Sequence, residues 1–533
     1  MLTGKVLPSV IAALLGVGSS VAWAGTWQTL KNPPPIPEII DPSGNDFGPG
    51  GASTPLLLTD GSVLIQNAGL FGEDAKVFKL TPDIHGSYVN GTWTQVASKP
   101  FISTAGAEAV LPDGRVIIEG GEFSNFEYDF LLTNQGAIYD PVKDTWTSVP
   151  PPAFFVDLFP PRALFAPHPI GDAASIVLAD GTFMLADKMS RQAARLDLKS
   201  LTWTETGTST KNDLNDEEGW TLLPNGSFLT VDCYTDFFFN LIPSYPADPT
   251  NSEIYDPATG QWSSGGSTIN TLTDPILDET GPSLLRPDGT VFALGSSGNS
   301  SVYNTRTRRW SLGPTLPISP QGFQYTAQDG PAALLPNGHV LVAASGGAAN
   351  GGFSNPPVGF FEFDGHRFIS VPTIPNAAND VSSSINLLVL PTGQVLSVDG
   401  TLDVEIYTPD REDADADEEH HHGWEPVITR VPKLLDEGKS YRLEGIRLNG
   451  MSQGSAFGDE AQNATNYPLV RIRNIATQHV FYARTHDHSS MAVASERISS
   501  TNFDVPAHIE LGLSILEVVT NGISSQPEIV FVK

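Results

Sequence analysis

The feature that most constrains this chain is a recurring turn. Asp60-Gly61, Asp113-Gly114, Asp180-Gly181, Asn225-Gly226, Asp288-Gly289, Asn337-Gly338 and Thr392-Gly393 each separate two short apolar runs, as in Arg115-Val116-Ile117-Ile118 and Thr290-Val291-Phe292-Ala293-Leu294. Asp-Gly and Asn-Gly tolerate the positive φ angles of tight hairpins, so each motif predicts two antiparallel strands. Third strands end in related motifs, Ile138-Tyr139-Asp140-Pro141, Ile254-Tyr255-Asp256-Pro257 and Ile406-Tyr407-Thr408-Pro409. Fourth strands centre on Trp93, Trp146, Trp203, Trp262 and Trp310, with Phe368 as a substitute.

A four-stranded unit of about fifty residues is the kelch signature, and units of this kind pack as propeller blades. Seven turns precede only six such fourth strands. The missing one is expected at the other end of the mature chain, because Gly25-Thr26-Trp27-Gln28-Thr29-Leu30 resembles Gly91-Thr92-Trp93-Thr94-Gln95-Val96. A closed ring also removes the sheet edges that invite aggregation.

Composition fits this all-β reading. Among 533 residues there are 50 glycines and 43 prolines, and charged residues make up only 17%. That suits many short strands and turns better than long solvated helices. A formal charge of −31 argues against nucleic acid and an anionic membrane surface, leaving metal ions, cationic partners and neutral sugars open. Lys5, the apolar stretch Val6–Val21 and Ala22-Trp23-Ala24 read as a secretory signal cleaved after Ala24, which predicts a secreted or periplasmic protein with no membrane span after cleavage. The single cysteine, Cys233, excludes an internal disulfide framework.

The expected organisation is a signal peptide at 1–24, a seven-bladed propeller at 25–409, an acidic and histidine-rich linker at 410–424, and an immunoglobulin-like β-sandwich at 425–533. The linker's Asp413, Asp415 and Asp417 spacing resembles a calcium loop, but Glu418 stands at the required glycine and Trp424 at the required bidentate acid. His420, His421 and His422 read as an exposed tract or as a transition-metal tract. Tyr234–Ser252, with Phe237-Phe238-Phe239, reads as a packed loop or as an aromatic lip.

Seven kelch blades with an N-terminal closing strand, an export signal and a C-terminal early-set sandwich together resemble the galactose oxidase and glyoxal oxidase family. The resemblance extends to Ser383-Ser384-Ile385 through Tyr407-Thr408-Pro409, and to Phe503-Asp504-Val505-Pro506 and Asn521-Gly522-Ile523. It implies one copper ion on the propeller axis, held by a tyrosine crosslinked to cysteine, a tyrosine–histidine pair opening blade seven, and a C-terminal histidine. This chain has Ser382 and Ser383 at the pair, Glu279 and Thr280 at the crosslinked tyrosine, and Glu218-Gly219 at the cysteine. Cys233 lies beyond the second strand of its blade, and only His486 or His488 offers a match. A copper–tyrosyl radical centre is therefore not expected.

Acidic residues recur where the blades begin: Asp172, Glu217 with Glu218, Asp278 with Glu279, Asp329 and Asp380. If the family geometry holds, they gather at the axial mouth, and the loop bearing His486 and His488 approaches it. Two readings stand. The carboxylates cap strand ends, or they join the His-x-His pair in binding a divalent cation or a cationic group. The expected function is a secreted ligand-binding propeller taking a glycan or cell-surface ligand at a mouth formed by Asp172, Glu218, Glu279, Asp329 and Asp380. A metal-dependent enzyme using His486 and His488, or an oxidase of the galactose oxidase type, is the alternative. No catalytic residue is assigned and the cofactor is left undetermined.

Overall fold

The computed structural model describes residues 25–69, 72–127, 131–155, 169–188, 190–233, 250–274, 279–347, 354–410, 423–459 and 462–533. The signal segment, most of the acidic and histidine tract, Asp278 and nearly all of the 234–252 insertion lie outside the described residues.

The fold is all-β. Seven antiparallel sheets follow the repeat, six of them four-stranded and the sixth blade extended to six strands, and blade one, with strands Ala52–Leu57, Val63–Ala68, Glu73–Thr81 and Thr92–Val96, is typical. Blade seven combines Asn386–Val389, Val395–Val398 and Glu405–Thr408 with Thr26–Thr29, which pairs with Glu405–Thr408 in the register Trp27 to Tyr407.

The turns are one residue longer than a two-residue hairpin. Gly61 donates to the Leu58 carbonyl at 3.0 Å while Leu58 donates to Ser62 at 2.7 Å, and the other six turns repeat this pair of bonds. This is a type I turn closed by a left-handed residue. It needs glycine at that position, where φ runs from 77° at Gly61 to 88° at Gly181. The preceding side chain is chosen by the same geometry. Asp60, Asp113, Asp180, Asn225, Asp288 and Asn337 each accept from the amide two residues on, at 2.9–3.1 Å.

The outer aromatics join blade to blade. Trp146, Trp262, Trp310 and Trp27 face Tyr139, Tyr255, Tyr303 and Tyr407, and Phe368 faces Phe363 at the equivalent register. The indole N–H groups reach back to the preceding blade or its exit segment. Trp27 donates to Pro372 at 2.7 Å, Trp93 to Asn32 at 2.9 Å, Trp146 to Ala97 at 2.8 Å and Trp203 to Pro150 at 2.7 Å, all backbone carbonyls. In these four blades the tryptophan is thus a hydrophobic plate whose one polar atom is satisfied by the neighbouring repeat, whereas the buried Trp262 indole nitrogen has no hydrogen-bond partner among the described residues.

The C-terminal unit is a β-sandwich. Its strand Val480–His486 pairs with Leu469–Asn474 through its first half and with Ile498–Asp504 through its second, folding one ladder over a core that includes Val470, Phe503, Leu516 and Val530. It docks on the turn end of the propeller. Thr485 donates to Thr59 at 3.1 Å, His488 to Pro112 at 3.0 Å and Met491 to Ala179 at 3.0 Å, all backbone to backbone. From this face, residues 449–459 and 462–467 run into the axis. Ser455–Ala456 pairs with Ala332–Leu334, the inner strand of blade six, and the Gln453 side chain accepts from the Leu222 amide at 2.7 Å.

Trp27 also packs against Phe360 and Tyr407 at ring-centroid distances of 4.9 Å. Trp27→Ala is expected to cost about 3 kcal/mol, read as a lowered denaturant midpoint. An unchanged midpoint would show that the N-terminal strand does not seal the ring.

Candidate functional site: an acidic axial cavity

The inner strands run from the blade entries at one end of the axis to the Asp-Gly turns at the other, so the entry residues form the mouth. A cavity of about 360 Å³ lies there, lined by blades one, two, five, six and seven. Its polar wall includes Ser53, Thr104, Gln328, Asn386 and Asp399, together with Glu122, Glu279 and Asp329. Phe123 supplies one aromatic wall. Phe457, carried in on the axial loop, supplies the other.

Beside the cavity, Lys188 of blade three is buried among acids. Its ammonium lies 2.6 Å from Asp172 Oδ2 and 3.2 Å from Asp216 Oδ1, and it donates to Glu217 Oε1. Burial alone would lower this lysine's pKa. Asp172, Glu217 and Asp216 outweigh that cost and raise it well above its ordinary value. The acids outnumber the ammonium, and their ionised forms are disfavoured accordingly. Burial pushes Glu217, Glu279 and Glu122 well above the ordinary carboxylate range, with neighbouring acids adding to it, and pushes Asp329 up to about 6. Glu217 and Asp329 sit at φ of 54° and 43°, in the left-handed region that costs a non-glycine residue of order 1 kcal/mol. Close backbone approach holds the axial loop against them. A Cβ on Gly219 would meet the Gly458 carbonyl at 2.4 Å, and one on Gly458 would meet Asp329 Oδ1 at 2.7 Å.

The expected site residues separate into four places. Glu279 and Asp329 line the cavity together, and Asp172 stands next to it on Lys188. Asp380 is not itself a lining residue but directly precedes the lining residue Val381 at the entry of blade seven, where burial and then Asp399 raise its pKa to about 7. Glu218 is elsewhere. It is fully buried between blades three and four, accepting from Lys211 at 2.8 Å and from Thr230 at 3.1 Å. Lys211 also bonds Asp213 at 2.5 Å and Glu253 at 2.9 Å, so this hub is an internal ion-pair network. Of the adjacent acids Glu217 and Glu218, the first belongs to the mouth and the second to the packing.

His486 and His488 are placed at the turn end, across the propeller from the acids. The two histidines do not form an extended His-x-His pair, because Asp487 between them has φ of 52°. His486 lies 2.8 Å from Asp487 and 3.2 Å from Asp504, whereas His488 is buried against Thr501 Oγ1 at 2.9 Å. Burial presses the His488 pKa down to about 3, so its ring is neutral. The family's copper site does not fit the residues present. Ser382 is buried and donates to the Gln328 carbonyl at 2.7 Å, and Glu218 is held by Lys211. Cys233 is buried, which pushes its thiol well above its ordinary value. The axial donors are carboxylates, with neither imidazole nor phenol among the cavity's lining residues.

The residues that sequence reasoning passed over are Glu122, Lys188, Asp399 and Asp459. The first three share a position, just after the second strand of blades two, three and seven, where the chain returns to the mouth. Asp459 had no local signal, since it arrives from another domain.

No family model matches the chain. Among curated proteins it is similar to the Kelch-like protein terF of Aspergillus terreus, 25% identical over 191 residues. That alignment spans 34% of this chain and 37% of the relative, so it takes in well under two thirds of the relative's length. Among solved structures, a catalytically inactive virginiamycin B lyase from Staphylococcus aureus with quinupristin matches at a TM-score of 0.42 and 9% identity, covering 72% of this chain and 100% of that one. YjhT matches at 0.37 and 11%, covering 64% and 99%.

The buried acids set a pH dependence. Glu405, 1% exposed, has its pKa raised to about 8 by burial and then by Asp399. In the unfolded chain it ionises near 4.5, so its contribution is complete below that pH and is lost as pH rises through 8. His488 works in the opposite sense, with stability lost as pH falls from 6.5 toward 3. Glu405→Gln is expected to flatten the alkaline decline and to unfold later than the parent at pH 8. An unchanged slope in denaturation midpoints across pH 5–9 would show that Glu405 is already ionised in the folded protein.

The repeat, the blade pairing and the curated relative together make this chain a seven-bladed kelch propeller carrying a C-terminal β-sandwich.

Proposed function

We propose that the protein is exported and binds a hydroxyl-rich ligand, of the glycan class, in the axial cavity. The observation that carries this reading is the composition of that wall. A cavity of about 360 Å³ falls within the roughly 300–1,000 Å³ typical of small-molecule sites. Serine and threonine hydroxyls, the amides of Gln328 and Asn386 and the carboxylate of Asp399 offer donors and acceptors in alternation. The buried Asn386 Oδ1 accepts no hydrogen bond from the described residues, which leaves an acceptor for a ligand hydroxyl. Phe123 and Phe457 offer aromatic surface for the C–H face of a sugar ring.

This reading sets the protein among galactose oxidase-like kelch proteins with an early-set C-terminal domain, as a binding member without the copper-radical ligands. The net charge of −31 favours neutral or cationic ligands over anionic ones.

The test is a glycan array probed with the purified mature chain, followed by calorimetry on the strongest ligand. Asn386→Ala and Gln328→Ala are each expected to weaken binding about tenfold, the loss of one buried polar contact. N-terminal sequencing of exported protein is expected to begin at Gly25. No array signal, or affinity indifferent to both substitutions, would refute the assignment of the cavity.

A further inference from the structure

The C-terminal sandwich has an apolar face that its own core does not use. In Gly512–Thr520 and Glu528–Val532 the inward side chains Leu516, Val518, Val530 and Val532 enter the core and alternate with outward ones. An antiparallel sheet with one wetted face keeps polar residues on that side. Here the outward side chains include Leu513, Ile515, Ile529 and Phe531, so the run Ile529-Val530-Phe531-Val532 has the pattern of a strand covered on both faces.

Register joins these side chains into one patch. Leu513 stands opposite Phe531 and Ile515 opposite Ile529, while Leu434 pairs with Phe531 from the edge strand Leu434–Leu435. On the other side the Ile475 amide donates to the Leu513 carbonyl at 3.0 Å. Leu434, Ile475, Leu511, Leu513, Ile529 and Phe531 are each 40–60% exposed. Half the surface of six such side chains is roughly 600 Å², the upper end of the largest patch a monomer leaves in water. With its rim the patch approaches the about 800 Å² per partner of a stable interface.

The same face is already an interface further across the sheet. Arg473 stands opposite both Ile515 and Val480, and Arg471 opposite Tyr482, so Val480 and Tyr482 also point outward. Blade one covers them. A Cβ on Gly61 would meet the Tyr482 ring at 2.6 Å, one on Gly86 would meet Val480 at 3.4 Å, and the Val480 amide donates to the Ile84 carbonyl at 2.8 Å. Among the described residues nothing covers the rest of the face. Charge also favours contact here. The net −31 opposes self-association, but residues 425–533 hold ten lysines and arginines against twelve aspartates and glutamates. The patch is rimmed by both signs, with Lys433 bonded to Glu528 and Arg471 lying 3.0 Å from Glu517.

We propose that this face is the interface of a two-fold dimer, with a second copy of the chain as its occupant. A two-fold contact sets one patch against itself, so it needs an apolar centre and a rim that offers both signs. This patch has both. A strongly basic partner or an anionic lipid surface calls instead for a rim of one sign. Burying Leu513 and Phe531 against their counterparts completes the cover that blade one begins on Val480 and Tyr482. The inference stands whether or not a ligand binds in the axial cavity.

The experiment is sedimentation equilibrium of the mature chain, loaded at about 1–100 µM. The expected result is a mass that climbs from one chain to two across this range. Association is expected to strengthen as sodium chloride rises from about 50 to about 500 mM, because salt screens the acidic repulsion and leaves apolar burial intact. Leu513→Lys and Phe531→Ser are each expected to weaken association at least about tenfold, as loss of a central anchor does. Leu312→Ser, at an equally exposed leucine on blade five, leaves it unchanged. If Phe531→Ser does not fold, Ile529→Thr, which keeps the branched β-carbon of a strand residue, takes its place with the same expectation. A single-chain mass over the whole range would overturn the inference. So would a dimer that survives both patch substitutions, or one that salt dissociates. Flotation of a monomeric chain on phosphatidylcholine vesicles, lost in Phe531→Ser, would also overturn it, because the occupant would then be lipid.

Discussion

Seven sheets set around an axis leave a channel, and what fills that channel governs the rest of this structure. The first strand of every blade is an inner edge whose backbone groups and entry side chains meet in a space that packing alone does not close. Here the filling comes from two sources. The segment at 449–459 adds a two-residue strand to blade six and caps the Leu222 amide of blade four through Gln453. Where the loop ends, acids and a single lysine take over, and the cavity remains above them.

Buried charge is the second constraint that shapes the molecule. Lys211 and Lys188 are both removed from water, and each is surrounded by three carboxylates. Desolvation of an ammonium in this setting costs several kcal/mol, recovered only through good geometry with every partner. Lys211 achieves that recovery between blades and serves packing. Lys188 performs the same service at the axis, where more acids converge than one ammonium can neutralise. The surplus appears as raised carboxylate pKa values at Glu217, Glu279, Glu122 and Asp329. A propeller needs only strand ends capped at its mouth. This excess of acid goes beyond capping, and it is part of the ground on which a binding site is proposed at the mouth.

The blades were legible in the primary structure because each element of the repeat is a local solution to a local problem. Asp or Asn followed by Gly satisfies a type I turn with a left-handed closing residue, and Trp opposite Tyr covers the outer strand. Except in blade seven, where Trp27 comes from the other end of the chain to face Tyr407, neither depends on anything outside its own fifty residues but the indole N–H, which where bonded reaches to the blade before. The site was legible only in part. Glu217 and Glu218 are neighbours in identical company, yet the left-handed backbone at Glu217 divides them between the mouth and Lys211. His486 and His488 had the spacing of a ligand pair, but the left-handed Asp487 breaks the extended geometry that spacing assumes.

Turn chemistry, strand period and aromatic register are short-range properties, so residue order alone was enough to make this an all-β propeller with acids at its blade entries. The meeting of Asp459, Lys188 and Glu279, and the seating of Phe457 over the cavity, depend on chain segments hundreds of residues apart. Their proximity follows from the sandwich docking on the turn face and sending its loop through the axis. No local pattern encodes that distance, because it is the sum of seven blade rotations and one domain interface.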